Sequence, residues 1–198
     1  PSSEICVGQF TYELSASASG GNGSSYSYSW DNTGSLSNGG ISNPVANPTV
    51  TTVYTLTTTD SKTCYSTDDV TVTVNTIPTA DAGSGFTVCF GQTSAILGGS
   101  PTASAGTSGY TYTWDNSSNT LDNSSISNPE ATPTVTTAYS VTVTDSKTCY
   151  AISTITVPVN SLPIANAGNN KELCLGSSIG IGGNPTAAGN SPFTYSWS

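Results

Sequence analysis

The sequence predicts an all-β chain, a rod of tandem β-sandwich modules of about 85 residues each. Three observations predict it. The first is a long repeat. Pro48–Tyr65 reads PTVTTVYTLTTTDSKTCY and Pro133–Tyr150 reads PTVTTAYSVTVTDSKTCY, identical at fourteen of eighteen positions. Trp30, Trp114 and Trp197 recur at nearly the same interval, as do Cys6, Cys89 and Cys174. A solenoid turn has ~20–50 residues, so this interval is that of a whole small domain. The second is alternation with a period of two. Tyr26, Tyr28 and Trp30 put three aromatics on one face of a strand, and so do Tyr110, Tyr112 and Trp114, with hydroxyl residues between them. Phe193, Tyr195 and Trp197 repeat the pattern. The third is turn chemistry. Gly98-Gly99-Ser100-Pro101, Ser108-Gly109, Asn128-Pro129 and Asp145-Ser146-Lys147 punctuate short runs rich in Thr, Val and Tyr.

These signals divide the chain into a first repeat over 1–77, a complete second repeat over 78–162, and the first half of a third over 163–198. The N-terminal edge of the first is expected to be incomplete, so the chain reads as a piece of a longer protein. Within the second repeat the expected strands include Phe86–Cys89, Ala95–Leu97, Tyr139–Thr144 and Ser153–Val159, the last two joined by the DSKTC turn. The Trp-bearing strand is expected at the centre, with no helix anywhere. Tyr28, Trp30, Tyr54, Tyr112, Trp114, Tyr139 and Trp197 are the expected core aromatics, because a small sandwich needs large side chains to bury. Asn75–Gly83 and Asn160–Gly168 read as short, extended linkers, each with Pro at the same place.

Five cysteines in repeats this small point to disulfides and an oxidising compartment. Two pairings fit. Pairing within repeats gives Cys6–Cys64 and Cys89–Cys149 and leaves Cys174 unpaired, since the rest of its repeat lies outside the chain. Pairing between repeats gives Cys64–Cys89 and Cys149–Cys174. The first is preferred, because the first and last strands of such sandwiches are usually neighbours.

Composition excludes several functions. The net charge is −9, with three basic residues, which argues against nucleic acid and against a polybasic membrane anchor. No apolar run approaches the ~18 residues of a membrane span. Without His, the usual catalytic triads cannot form. The one carboxylate pair, Asp68-Asp69, is replaced by Ser153-Thr154 in the second repeat, which fits a solvated strand edge better than acid–base chemistry. Asp60, Asp81 and Asp145 are candidate calcium ligands at turns, but calcium needs six to eight oxygens and Asp81 gives way to Asn166 at the next junction. Turn capping accounts for all of them. The turn positions of Lys62 and Lys147 argue against isopeptide cross-links. Asn22, Asn116 and Asn123 begin N-x-Ser sequons.

The order of Ala-Asp-Ala-Gly (Ala80–Gly83), Thr87–Gln92, the Tyr-Thr-Trp of Tyr112–Trp114, Tyr139–Asp145 and Cys149 resembles the PKD-like and Ig-like tandem repeats of giant cell-surface adhesins of gliding Bacteroidota, exported by type IX secretion. It departs from PKD repeats after the Trp, where Asp115-Asn116-Ser117-Ser118 stands in place of a Trp-Asp-Phe-Gly-Asp-Gly run. The resemblance implies a non-enzymatic, extracellular stalk or filament segment. Its expected partners are neighbouring repeats of the same chain, further copies assembling through strand edges, and a surface or glycan ligand held by other domains. The alternative is a carbohydrate-binding or spacer module of a secreted hydrolase.

Overall fold

The computed structural model describes residues 3–21, 25–91, 94–184, 186–189 and 191–197. The sequon at Asn22 and the last residue of the Thr87–Gln92 motif lie outside them. The first repeat contains β1 (Ser3–Cys6), β2 (Tyr12–Glu13), β3 (Tyr26–Trp30), β4 (Val45–Ala46), β5 (Thr52–Asp60) and β6 (Tyr65–Asn75). One 3₁₀ turn, Thr33–Ser35, follows β3. The second contains β7 (Pro78–Ala80), β8 (Val88–Cys89), β9 (Ala95–Ile96), β10 (Ala103–Ala105), β11 (Thr111–Trp114), β12 (Glu130–Ala131), β13 (Thr137–Thr144), β14 (Tyr150–Val157) and β15 (Val159–Asn160). In the third, β16 (Ile164–Ala165) pairs with β17 (Ala187–Ala188).

The main sheet of the first repeat has the order β1-β6-β5-β3, faced by the β2–β4 pair. The second repeat has β11-β13-β14, faced by β9–β12, with β8 alongside β15. The Trp-bearing strands β3 and β11 therefore lie at a sheet edge and not at its centre. Their buried face is supplied by the opposite layer. Pro158 separates β14 from β15 where the first repeat has Thr73 inside the continuous β6. Proline has no N–H to give the ladder.

Each repeat has its own core, and the two correspond position by position. Ile5, Leu14, Trp30, Ala46, Tyr54, Leu56 and Val72 form one; Val88, Leu97, Trp114, Ala131, Tyr139, Val141 and Val157 form the centre of the other. The polar ends of the buried aromatics are also satisfied twice over. Trp30 Nε1 donates to the carbonyl of Ile41 at 2.9 Å, and Trp114 Nε1 to that of Ile126 at 3.0 Å. The Tyr54 hydroxyl lies 2.6 Å from Ser35 Oγ, and that of Tyr139 lies 2.6 Å from Thr120 Oγ1. Tyr28 and Tyr112 are half-buried against these cores. Trp197 differs: it is 53 % exposed, because nothing among the described residues covers it as β13 covers Trp114.

The segment expected as a linker, Asn75–Gly83, contains the last residue of β6 and the whole of β7. Only Thr76 and Ile77 separate β6 from β7. Pro78–Ala80 pairs with β10 and belongs to the second sandwich. A two-residue connection brings the end of one repeat directly against the start of the next.

Candidate functional site

The face that distinguishes this chain is the junction between the first two repeats. It forms because β1 runs parallel to β6, with Cys6 opposite Asn75 at the end that leads into the second repeat. A tight turn follows, closed by Gln9 N–H donating to the Cys6 carbonyl at 3.1 Å. Gly8 occupies φ 71° there, a left-handed conformation natural to glycine. The second repeat meets this turn with its β13–β14 hairpin. Asp145 N–H bonds the Cys149 carbonyl at 2.9 Å, and Thr148 sits at φ 64°.

Three residues of the first repeat bond the hairpin, and a fourth, Asn75, supports one of them. Cys6 is disulfide-bonded to Cys149, with Cα atoms 5.5 Å apart. The Gln9 amide grips Tyr150 by its backbone, donating to its carbonyl and accepting its N–H at 3.2 Å. Glu4 accepts both oxygens' worth of hydrogen bonds from Lys147 Nζ, at 3.0 and 2.8 Å. Asn75 Nδ2 donates to the same carboxylate at 3.2 Å. The hydrogen bonds from Lys147 and then Asn75 hold the Glu4 carboxyl below the usual glutamate range.

The disulfide corrects the expected pairing within repeats, Cys6–Cys64 and Cys89–Cys149. The first and last strands are neighbours, as expected, but they run parallel. Cys6 lies opposite Asn75, whereas Cys64 precedes Tyr65 at the other end of β6. Eleven residues at about 3.3 Å each put the two cysteines roughly 36 Å apart. A disulfide needs Cα atoms within about 7 Å. Cys89, opposite Asn160, stands in the same relation to Cys149. The alternative Cys149–Cys174 is also replaced, since Cys149 is bonded to Cys6. Cys64 and Cys174 are free and exposed, and Cys89 is exposed.

The calcium candidates sit in turns as backbone acceptors. Asp145, 4 % exposed, accepts N–H bonds from Lys147, Cys149 and Thr107 at 2.9, 3.0 and 2.9 Å. Asp60 does the same for Lys62 and Cys64 at 2.8 and 3.0 Å. Asp81 accepts from Gly83, and Asn166 from Gly168. No group of three or more potential ligands converges among the described residues. Sequence reasoning missed Glu4 and Gln9. Their signal was present in the recurrence of Cys-x-Gly-Gln at Cys6 and Cys89, and of Glu two residues before Cys174.

No family model matches the chain. No curated protein matches it either. Solved structures do resemble it. The N-terminal eight immunoglobulin domains of Down Syndrome Cell Adhesion Molecule align with a TM-score of 0.52 at 13% identity, over 82% of this chain and 24% of that one. Extracellular domains 3-5 of Drosophila OTK align with a TM-score of 0.44 at 14% identity, over 80% and 59%. The chain thus spans less than two thirds of either structure. At these identities the likeness concerns the fold: an all-β chain of tandem Ig-like sandwiches.

Proposed function

We propose that this chain is a structural segment of an extracellular stalk or surface filament, non-catalytic, which carries adhesive elements away from a cell. The observation that carries this reading is the junction. Two sandwiches are joined end to end by two residues, a disulfide, a bidentate amide grip and an ion pair, a design that fixes the angle between repeats. Tandem repeats held this way supply reach and stiffness. The disulfide fits an oxidising, extracellular setting. The burial of Trp30 and Trp114 favours this reading over a sugar-binding platform, which needs aromatic faces open to solvent. Export through type IX secretion and a role in gliding belong to the same proposal.

The test is the intact size and domain content of the parent protein, by mass spectrometry on protein shaved from the source cells. Many such repeats without a catalytic domain are expected. A short parent built around a hydrolase domain would replace the stalk reading with that of an enzyme accessory.

A further inference from the structure

The bond between Cys6 and Cys149 joins two different landmarks of the repeat: the first cysteine of one and the second cysteine of the next. The chain contains a second copy of the receiving turn. At Asp60–Tyr65 it is already in the bonded geometry. Asp60 N–H meets the Cys64 carbonyl at 2.9 Å, Asp60 Oδ1 caps Lys62 and Cys64, and Thr63 sits at φ 68°. These match the values around Asp145, Lys147, Thr148 and Cys149. What differs is cover. Cys149 is fully buried and Tyr150 39 % exposed, whereas Cys64 is exposed and Tyr65 74 % exposed.

A second, independent observation points to the same occupant. An open groove runs beside the Cys64 turn, lined by Leu56, Thr58, Asp68 and Val70 as well as Cys64 and Tyr65. In the second repeat, β7 packs on β13 and β14 over the corresponding surface. Ala82 N–H there bonds Ser153, the counterpart of Asp68. The segment that covers the groove is the one that leads in from the preceding repeat.

We propose that the Asp60–Tyr65 turn is a docking surface for the end of another repeat of this kind, and that Cys64 is its disulfide acceptor. The partner presents Glu-x-Cys-x-Gly-Gln, as Glu4–Gln9 does. Its cysteine bonds Cys64, its Gln takes the backbone of Tyr65, and its Glu takes Lys62. In the covalent step both thiols give up a proton and an electron, one S–S bond forms, and a disulfide oxidant accepts them and leaves as two thiols. The same rule reaches forward, since Cys174 begins a turn of the same backbone form, with Ser177 N–H on the Cys174 carbonyl at 3.0 Å and Gly176 at φ 86°, and with Ser177 in the place of Gln9. Such staples interlock along an array. Between the exit of one staple at Cys149 and the entry of the next but one at Cys174 lie 24 residues, 25 steps of backbone. Fully extended they span at most about 90 Å. Two folded repeats, at roughly 35–45 Å each, already occupy nearly that length. The array is covalently inextensible even where a repeat unfolds.

This inference rests on the stalk reading above, and its test is separate from that one. An extended chain repeats residues 1–83 ahead of Pro1, which preserves the spacing between Cys6 and Cys89, and the added copy carries Val7→Ile as a mass label and Cys64→Ser, so that one Cys64 remains to be read. It is oxidised with glutathione disulfide beside the 198-residue chain. Non-reducing peptide mapping is expected to find the labelled Cys6 peptide on Cys64, with alkylation of Cys64 reduced at least tenfold. Cys64→Ser in the extended chain should lose that linkage and keep Cys6–Cys149. Cys64 as reactive as in the 198-residue chain while Cys6–Cys149 forms would overturn the proposal. So would Cys64 bonded within its own repeat, or absence of both inter-repeat bonds. None of these would alter the domain content of the parent, on which the stalk reading depends.

Discussion

Gln9 spends its side chain on the main chain of another repeat, matching both the N–H and the carbonyl of Tyr150 as a neighbouring strand would. Gln9→Ala leaves those groups to solvent, at a cost of about 1 kcal/mol to the junction. Faster hydrogen exchange at the Tyr150 amide, with the Tyr139 amide unchanged, is the expected result. Asp145 has a heavier role. Its carboxylate caps three N–H groups while almost wholly buried. Asp145→Ala should cost about 3 kcal/mol, read by urea denaturation, because several donors lose their acceptor at once. The Glu4–Lys147 pair is exposed, so its effect on stability is small and screened by salt. Its signature is electrostatic. Because folding lowers the Glu4 pKa, the contribution is present above the ordinary glutamate range and is lost as pH falls through the folded value. In Lys147→Met the Glu4 carboxyl should titrate at higher pH by NMR. An unmoved midpoint would mean that Lys147 is not what holds it down.

At the scale of elements, strand direction decides the cysteine chemistry. The sequence made the strands legible, because alternation and turn residues mark β5, β6, β13 and β14 plainly. It also made the buried Tyr and Trp positions legible, since three aromatics on one strand face have few other places to go. It did not reveal that β1 runs parallel to β6. Parallel and antiparallel neighbours read alike in one strand's alternation, yet they place Cys6 at opposite ends of the sandwich. The linker was misread for a related reason: Pro78 resembles a spacer, but it opens an edge strand, where a missing N–H is tolerated. The turn after Cys6 offers a test at this scale. Gly8→Ala forces alanine to φ near 71°, at about 1–2 kcal/mol. Slower formation of the Cys6–Cys149 bond during oxidative refolding is expected, with the core spectrum of Trp30 and Trp114 retained.

For the whole molecule, the staple redirects force. A load applied to the two ends passes from Cys6 to Cys149 through sulfur, so residues 7–148 lie outside its path. Those residues amount to about 500 Å of extended chain that tension cannot release. The repeats themselves were legible in the sequence, but this property was not, because it depends on which ends of two sandwiches meet. Single-molecule stretching of the full chain from its termini tests the central claim most directly. With the disulfide intact, total extension should stop at about 200 Å, and adding a reductant should release about 500 Å more. Extension to about 700 Å without reductant would contradict a covalent lock between the repeats.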